Sequence, residues 1–151
     1  MRTNRFIGLY ILLFTAFNAY TFNMNTTAKI PSKSLNDYLY EYRVVVIQGS
    51  EQLALEWVNQ RYIANKAGII ERKIKLLYLT NGKVLDIGED KQDSGLTLAD
   101  VKPRMQDKAL ILIGLDGGTK SFYERFDLQM IFADIDGMPM RRAQLRRASS
   151  N

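Results

Sequence analysis

Three stretches of this chain are apolar with little or no alternation: Val44 to Ile47, Ile74 to Leu79 and Ala109 to Ile113. A strand wetted on one side alternates polar and apolar residues, so these runs predict strands covered on both faces, as in a sheet sandwiched between helices. Between the first two runs the period changes. Ala54, Trp57, Val58 and Tyr62 fall at i, i+3, i+4 and i+8, with Gly68 in the position of a helix stop. Strand, crossover helix, strand is the unit of a parallel α/β sheet.

The remaining punctuation extends this frame. Leu35 to Tyr42 reads as a short helix or extended lead-in. Asn81-Gly82 after the second run is a two-residue hairpin signal, with Val84, Leu85 and Ile87 returning. Asp86 to Gly95 is expected to be an acidic surface loop, and Thr97 to Met105 a short helix limited by Pro103. Asp116-Gly117-Gly118 turns the third run back into Thr119 to Phe126. Asp127 then offers an N-cap for a helix striped by Leu128, Ile131, Phe132 and Ile135.

The segment before this domain has the layout of an export signal. Arg2 and Arg5 precede twelve uncharged residues, Phe6 to Phe17, and small Ala19 and Thr21 suit cleavage before Phe22. The alternative is an uncleaved anchor, because Phe6 to Phe22 approaches the roughly 17 residues that can span a bilayer. The expected organisation is a signal peptide at 1–21, a linker at 22–34, one domain at 35–144 and a basic tail at 145–151. Removing the signal leaves about 130 residues, enough for a single core. The location expected is periplasmic or secreted.

Charge and composition then prune the chemistry. The chain has no cysteine and no histidine, which removes disulfides, thiol redox centres, Ser-His-Asp triads and His/Cys zinc sites. Its net charge of +5 suggests a basic protein, yet residues 22–140 hold fifteen Lys and Arg against sixteen Asp and Glu. The excess lies in Arg2, Arg5, Arg141, Arg142, Arg146 and Arg147. A nearly neutral exported domain makes nucleic acid an unexpected partner.

Two segments of the C-terminal third carry a specific resemblance: Leu112-Ile113-Gly114-Leu115-Asp116-Gly117-Gly118-Thr119-Lys120, and Ile135-Asp136-Gly137-Met138-Pro139-Met140-Arg141-Arg142. Together they resemble the signature of a bacterial domain of unknown function, the prokaryotic DUDES family. Related domains occur in extracellular proteins such as equarin and the sushi-repeat-containing proteins. The resemblance spans roughly Leu35 to Gln144. Thinner matches lie in the Tyr-x-x-Arg lead-in ending at Arg43 and in Glu71-Arg72. Where the family usually carries an acid after that arginine, this chain has Lys73, which puts any family ion pair there in question. The resemblance implies a thioredoxin-like three-layer α/β fold, a central mixed sheet with flanking helices, here lacking CxxC. In redox members the nucleophile sits near Gly49 to Leu53, where this chain has Ser50 and no histidine to activate it. No proline directly precedes Ala109, where thioredoxins place a cis-proline.

Candidate binding residues follow from the two segments. Asp116, Gly117, Gly118 and Lys120 form either a backbone nest for an anion or a plain tight turn. Pro139 is expected to end the last helix, with Met138 and Met140 tucked into the core edge. Arg141 and Arg142 are expected to emerge, either as a clamp for a carboxylate or phosphate or as charges favouring the helix dipole. Asp86, Glu89, Asp90 and Asp93 cluster without EF-hand spacing, so a solvated loop is expected there rather than a cation site. Trp57 and its neighbouring tyrosines read as core. Asn25-Thr26-Thr27 is a glycosylation sequon relevant only in a glycosylating host.

The function expected is a non-enzymatic module binding an unknown protein or small anionic ligand, with no catalytic residues, metal or cofactor assigned and membrane contact only through a retained N-terminus. The alternative is a hydrolase using carboxylates or a hard metal, built on Asp134, Asp136 and the acidic loop. Residues two apart on a helix diverge, which counts against pairing Asp134 with Asp136.

Overall fold

The computed structural model describes residues 33–51, 53–88 and 91–150. The proposed signal, nearly all of the linker, Asn25, Glu89 and Asp90 lie outside them. A 3-10 turn, Leu35–Tyr38, leads into strand β1, Arg43–Gln48. Helices α1, Leu55–Ala64, and α2, Lys66–Glu71, cross over to β2, Ile74–Thr80. Strands β3, Lys83–Ile87, and β4, Gln92–Asp93, precede helix α3, Leu98–Met105. Then come β5, Leu110–Ile113, β6, Thr119–Tyr123, and helices α4, Leu128–Gly137, and α5, Pro139–Ala148.

The six strands form one mixed sheet in the order β4-β3-β2-β1-β5-β6. β1 and β2 are parallel, and every other neighbouring pair is antiparallel. The three apolar runs are thus the three central strands, and α/β is the fold class. Their lack of alternation has the expected cause: each strand feeds both faces. Val45, Ile47, Leu76, Tyr78, Leu110 and Leu112 pack with Val58, Ile69, Ile131 and Ile135 on the α1, α2 and α4 side. Val44, Val46, Leu77, Leu79, Ile111 and Ile113 pack with Tyr38, Val101 and Met105 on the α3 side. Asn81 (φ 42°) and Gly82 (φ 80°) both occupy the left-handed region that a two-residue hairpin with right-handed strand twist needs.

Several boundaries differ from expectation. The crossover is two helices broken at Asn65, and Gly68 lies inside α2 instead of stopping it. A Cβ on Gly68 would lie 2.8 Å from Cε2 of Phe132, so the glycine permits α2 to approach α4. Asp86 belongs to β3 and bonds Lys75 across the hairpin at 3.0 Å, so the acidic stretch is partly sheet. Pro103 is accommodated within α3. Pro139 ends α4, as its ring requires, but it also stands at the first position of α5, where no backbone N–H is needed. The basic tail is therefore largely helical. Met138 packs against the core while Met140 is exposed.

Candidate functional site

The two arginines expected to emerge together part company. Arg142 is exposed, but Arg141 is only 6% exposed and is turned inward from α5. Its Nε donates to Oδ1 of Asp136 at 3.2 Å, its Nη2 pairs with Oε1 of Glu71, and its Nη1 donates to the Glu71 carbonyl at 3.3 Å. Arg72 grips the other oxygen of Asp136 with Nε at 3.2 Å and Nη2 at 2.6 Å, and its guanidinium lies 4.5 Å from the centre of the Phe132 ring. Arg72 also contacts Glu71 at 3.3 Å. The acids that complete this cluster are Glu71 and Asp136, so it forms without an acid at position 73. Lys73 is exposed in the left-handed region at φ 51°, and its carbonyl accepts from the backbone N–H of Arg43 at 2.8 Å. Burial alone pushes the Asp136 carboxyl up, but hydrogen bonds and charge from Arg72 and Arg141 more than reverse this and hold it below the usual carboxylate range.

Arg43, at the head of β1, is the deepest charge in this region, only 1% exposed. Its Nη1 donates to the Arg72 carbonyl at 2.8 Å, and its Nη2 makes a long 3.5 Å contact with Oε1 of Gln144. Its Nε is buried with no hydrogen-bond partner among the described residues. Burial first, and the Arg141 charge second, lower its pKa from the ordinary arginine value.

The glycine turn closes on itself. Gly117 (φ 75°) donates to the Gly114 carbonyl at 3.0 Å, and Gly118 donates to Oδ1 of Asp116 at 3.1 Å. The N–H groups of an anion nest are thereby occupied by the chain itself. Oδ2 of Asp116 takes Nζ of Lys120 at 2.6 Å, and this bond, with the one from Gly118, lowers the Asp116 pKa. Arg104 ties the turn from behind through the Gly117 carbonyl.

A cavity of about 220 Å³ opens where these parts meet. Val44 pairs with Ile113, so Arg43 and Gly114 adjoin just beyond the end of that register, on the face shared with Val45 and Leu112. The absent Gly114 side chain leaves room there, since a Cβ would lie 2.5 Å from Cε of Lys120. Arg43, Leu115, Asp116, Lys120 and the segment Met138 to Met140 line it with Gly114. Of the residues nominated from sequence, Asp116 and Lys120 line this cavity. Gly117 instead faces Leu39, Arg141 lies in the ion cluster and Arg142 stands apart. Arg43 was missed as a site residue. Its signal was a charge placed directly before an apolar run, where nothing in the pattern reveals whether it points in or out.

The carboxylates proposed for hydrolysis separate. Asp134 accepts from Tyr123 at 2.7 Å and Ser121 at 3.1 Å, while Asp136 serves the arginines. Burial, then the Asp134 bond, pushes the Tyr123 phenol pKa upward. Ser50 caps the loop before α1 by accepting from the Leu53 N–H at 3.1 Å. Among the described residues no three His, Cys, Asp or Glu side chains gather as metal ligands, and no helix is long and apolar enough to cross a membrane. Trp57 is half-buried edge-to-face on Phe126, with ring centres 5.9 Å apart, beside a separate groove of about 260 Å³.

What these features define is a cysteine-free α/β domain with an arginine-bedded pocket between a glycine turn and a helix junction. The family model described as Domain of unknown function (DUF4174) matches residues 34–144, and the chain belongs to that family. No curated protein and no solved structure matches it.

Proposed function

We propose that this domain is a non-catalytic, thioredoxin-like binding module that acts after export and receives a small anionic ligand, or an anionic group of a partner, in the pocket beside Arg43. The observation that carries this reading is convergence: the turn after β5 with Lys120 of β6, and the Met138-Pro139-Met140 junction that follows α4, line one cavity. The thioredoxin-like assignment is supported by the order β2-β1-β5-β6, with β1 and β2 parallel and β5 and β6 antiparallel additions. The resemblance to the DUDES family, whose relatives include extracellular proteins, supports export. Without cysteine, the module binds and does no thiol chemistry. Asp134 and Asp136, each engaged by its own neighbours, give hydrolysis no converging pair.

A fragment screen by amide chemical-shift mapping tests the site. Hits are expected to move Gly114 to Lys120 together with Met140 and Arg141, and hits confined to the Trp57 groove would refute the assignment. N-terminal sequencing of the protein from the exported fraction tests the location, with a first residue near Phe22 expected.

A further inference from the structure

The charges around the pocket do not balance. Arg43, Arg72 and Arg141 face two carboxylates, Glu71 and Asp136. Arg72 and Arg141 hold both acids, and Arg43, the most buried of the three, is bonded only to neutral oxygens. Lys120 adds nothing to this excess because Asp116 neutralises it at 2.6 Å. A buried cation without an anion is unfavourable unless something else supplies the charge. Beside Arg43, Gly114 and the mutually paired Asp116 and Lys120, the cavity is walled by Leu115, Met138, Pro139 and Met140. At about 220 Å³ it is smaller than the roughly 300–1,000 Å³ typical of drug-sized ligands.

Building on the binding reading above, we infer that the ligand is a small monocarboxylate with a short aliphatic tail, free or at the C-terminus of a peptide. One excess positive charge calls for one negative charge, which a carboxylate matches better than a phosphate dianion. The thioether and proline walls call for an apolar body beside it. Nε of Arg43 is buried and unpartnered, and the unbranched Met138 and Met140 side chains, which line the same cavity, have the freedom to shift and admit the carboxylate to it.

Titration of the full chain with N-acetyl-leucine, pentanoate, N-acetyl-leucinamide and inorganic phosphate, followed by amide shifts and calorimetry, decides the point. The two acids are expected to move Gly114 and Met140, with the uncharged amide about tenfold weaker or more. N-acetyl-leucine tighter than pentanoate supports a peptide terminus, and the reverse order supports a free acid. Arg43→Met is expected to abolish the preference for acid over amide. Because that buried substitution can prevent folding, Met140→Asp at the exposed rim is the second variant, expected to weaken the acids about tenfold by repulsion and spare the amide. Equal binding of acid and amide, or tighter binding of phosphate, overturns the inference. If neither acid binds while fragments still enter the pocket and Met140→Asp alters their binding, the ligand class is wrong and the binding site stands. If no probe or fragment responds to Met140→Asp, both fall.

Discussion

Nη2 of Arg72 lies 2.6 Å from Oδ2 of Asp136, fastening the end of α2 to the last turn of α4 across 64 positions of sequence. Asp136 also receives Arg141, so one carboxylate holds two guanidinium groups and, through Arg141, the start of α5. Asp136→Ala is therefore expected to destabilise the fold by about 2–3 kcal/mol, below the range for a fully buried pair because the Asp136 side chain is 35% exposed. Urea unfolding followed by fluorescence of Trp57, the single tryptophan, measures this. A loss under about 0.5 kcal/mol, the scale of an exposed pair, would contradict it.

The same carboxylate gives the fold an acid limit. Its pKa is lowered in the folded state, so its contribution is present above the ordinary carboxylate pKa and disappears as pH falls through the lower folded value. Unfolding midpoints of the wild type are expected to decline as pH is taken below about 4, and Asp136→Asn is expected to flatten that decline. Parallel curves for the two proteins would remove Asp136 from the explanation.

Gly49 and Gly114 should separate stability from binding. A Cβ on Gly49 would lie 2.6 Å from Oη of Tyr78 and 2.8 Å from the Leu79 carbonyl, and Tyr78 is anchored by a 2.8 Å bond to the Leu53 carbonyl. Gly49→Ala is expected to cost about 1–3 kcal/mol in overpacking. On Gly114 the nearest atoms belong to the ends of the Lys120 and Asp116 side chains, which can move. Gly114→Ala should cost less than about 1 kcal/mol while crowding the cavity and reducing ligand uptake. Thermal melts paired with the fragment titration read both effects, and a stable Gly114→Ala variant with unchanged uptake would count against the pocket.

Asp127 caps α4 through its Oδ1, which accepts from the N–H groups of Gln129 at 3.0 Å and Met130 at 3.2 Å. Asp127→Ala is expected to lower stability by about 1 kcal/mol, and Asp127→Asn to retain most of the capping. Equal losses in the two variants, measured by urea unfolding, would point to the charge instead of the hydrogen bonds.

Much of the fold was legible because its signals are local. Continuous Val, Ile and Leu runs can be satisfied only by cover on both sides, the Asn81-Gly82 pair supplies the positive φ values a tight hairpin needs, and Asp127 sits where a stripe of Leu128, Ile131, Phe132 and Ile135 begins. Gly68 was misread because a glycine after a helical stripe resembles a terminator. Its actual role is set by Phe132, a residue 64 positions away that no local window contains.

The candidate site was legible only in part, for the same reason. The sequence by itself determined the absence of thiol and imidazole chemistry, the three buried strands, the glycine turn and the proline at the helix junction. Tertiary structure alone decided that Arg141 turns inward while Arg142 does not, that Glu71 and Asp136 complete the cluster without an acid at position 73, and that Arg43, hydrogen-bonded to no carboxylate, lies beside a cavity. Backbone propensity and apolar period act over a few residues. The partner of a charged side chain is fixed by which distant elements pack against it, and charge itself carries no mark of burial.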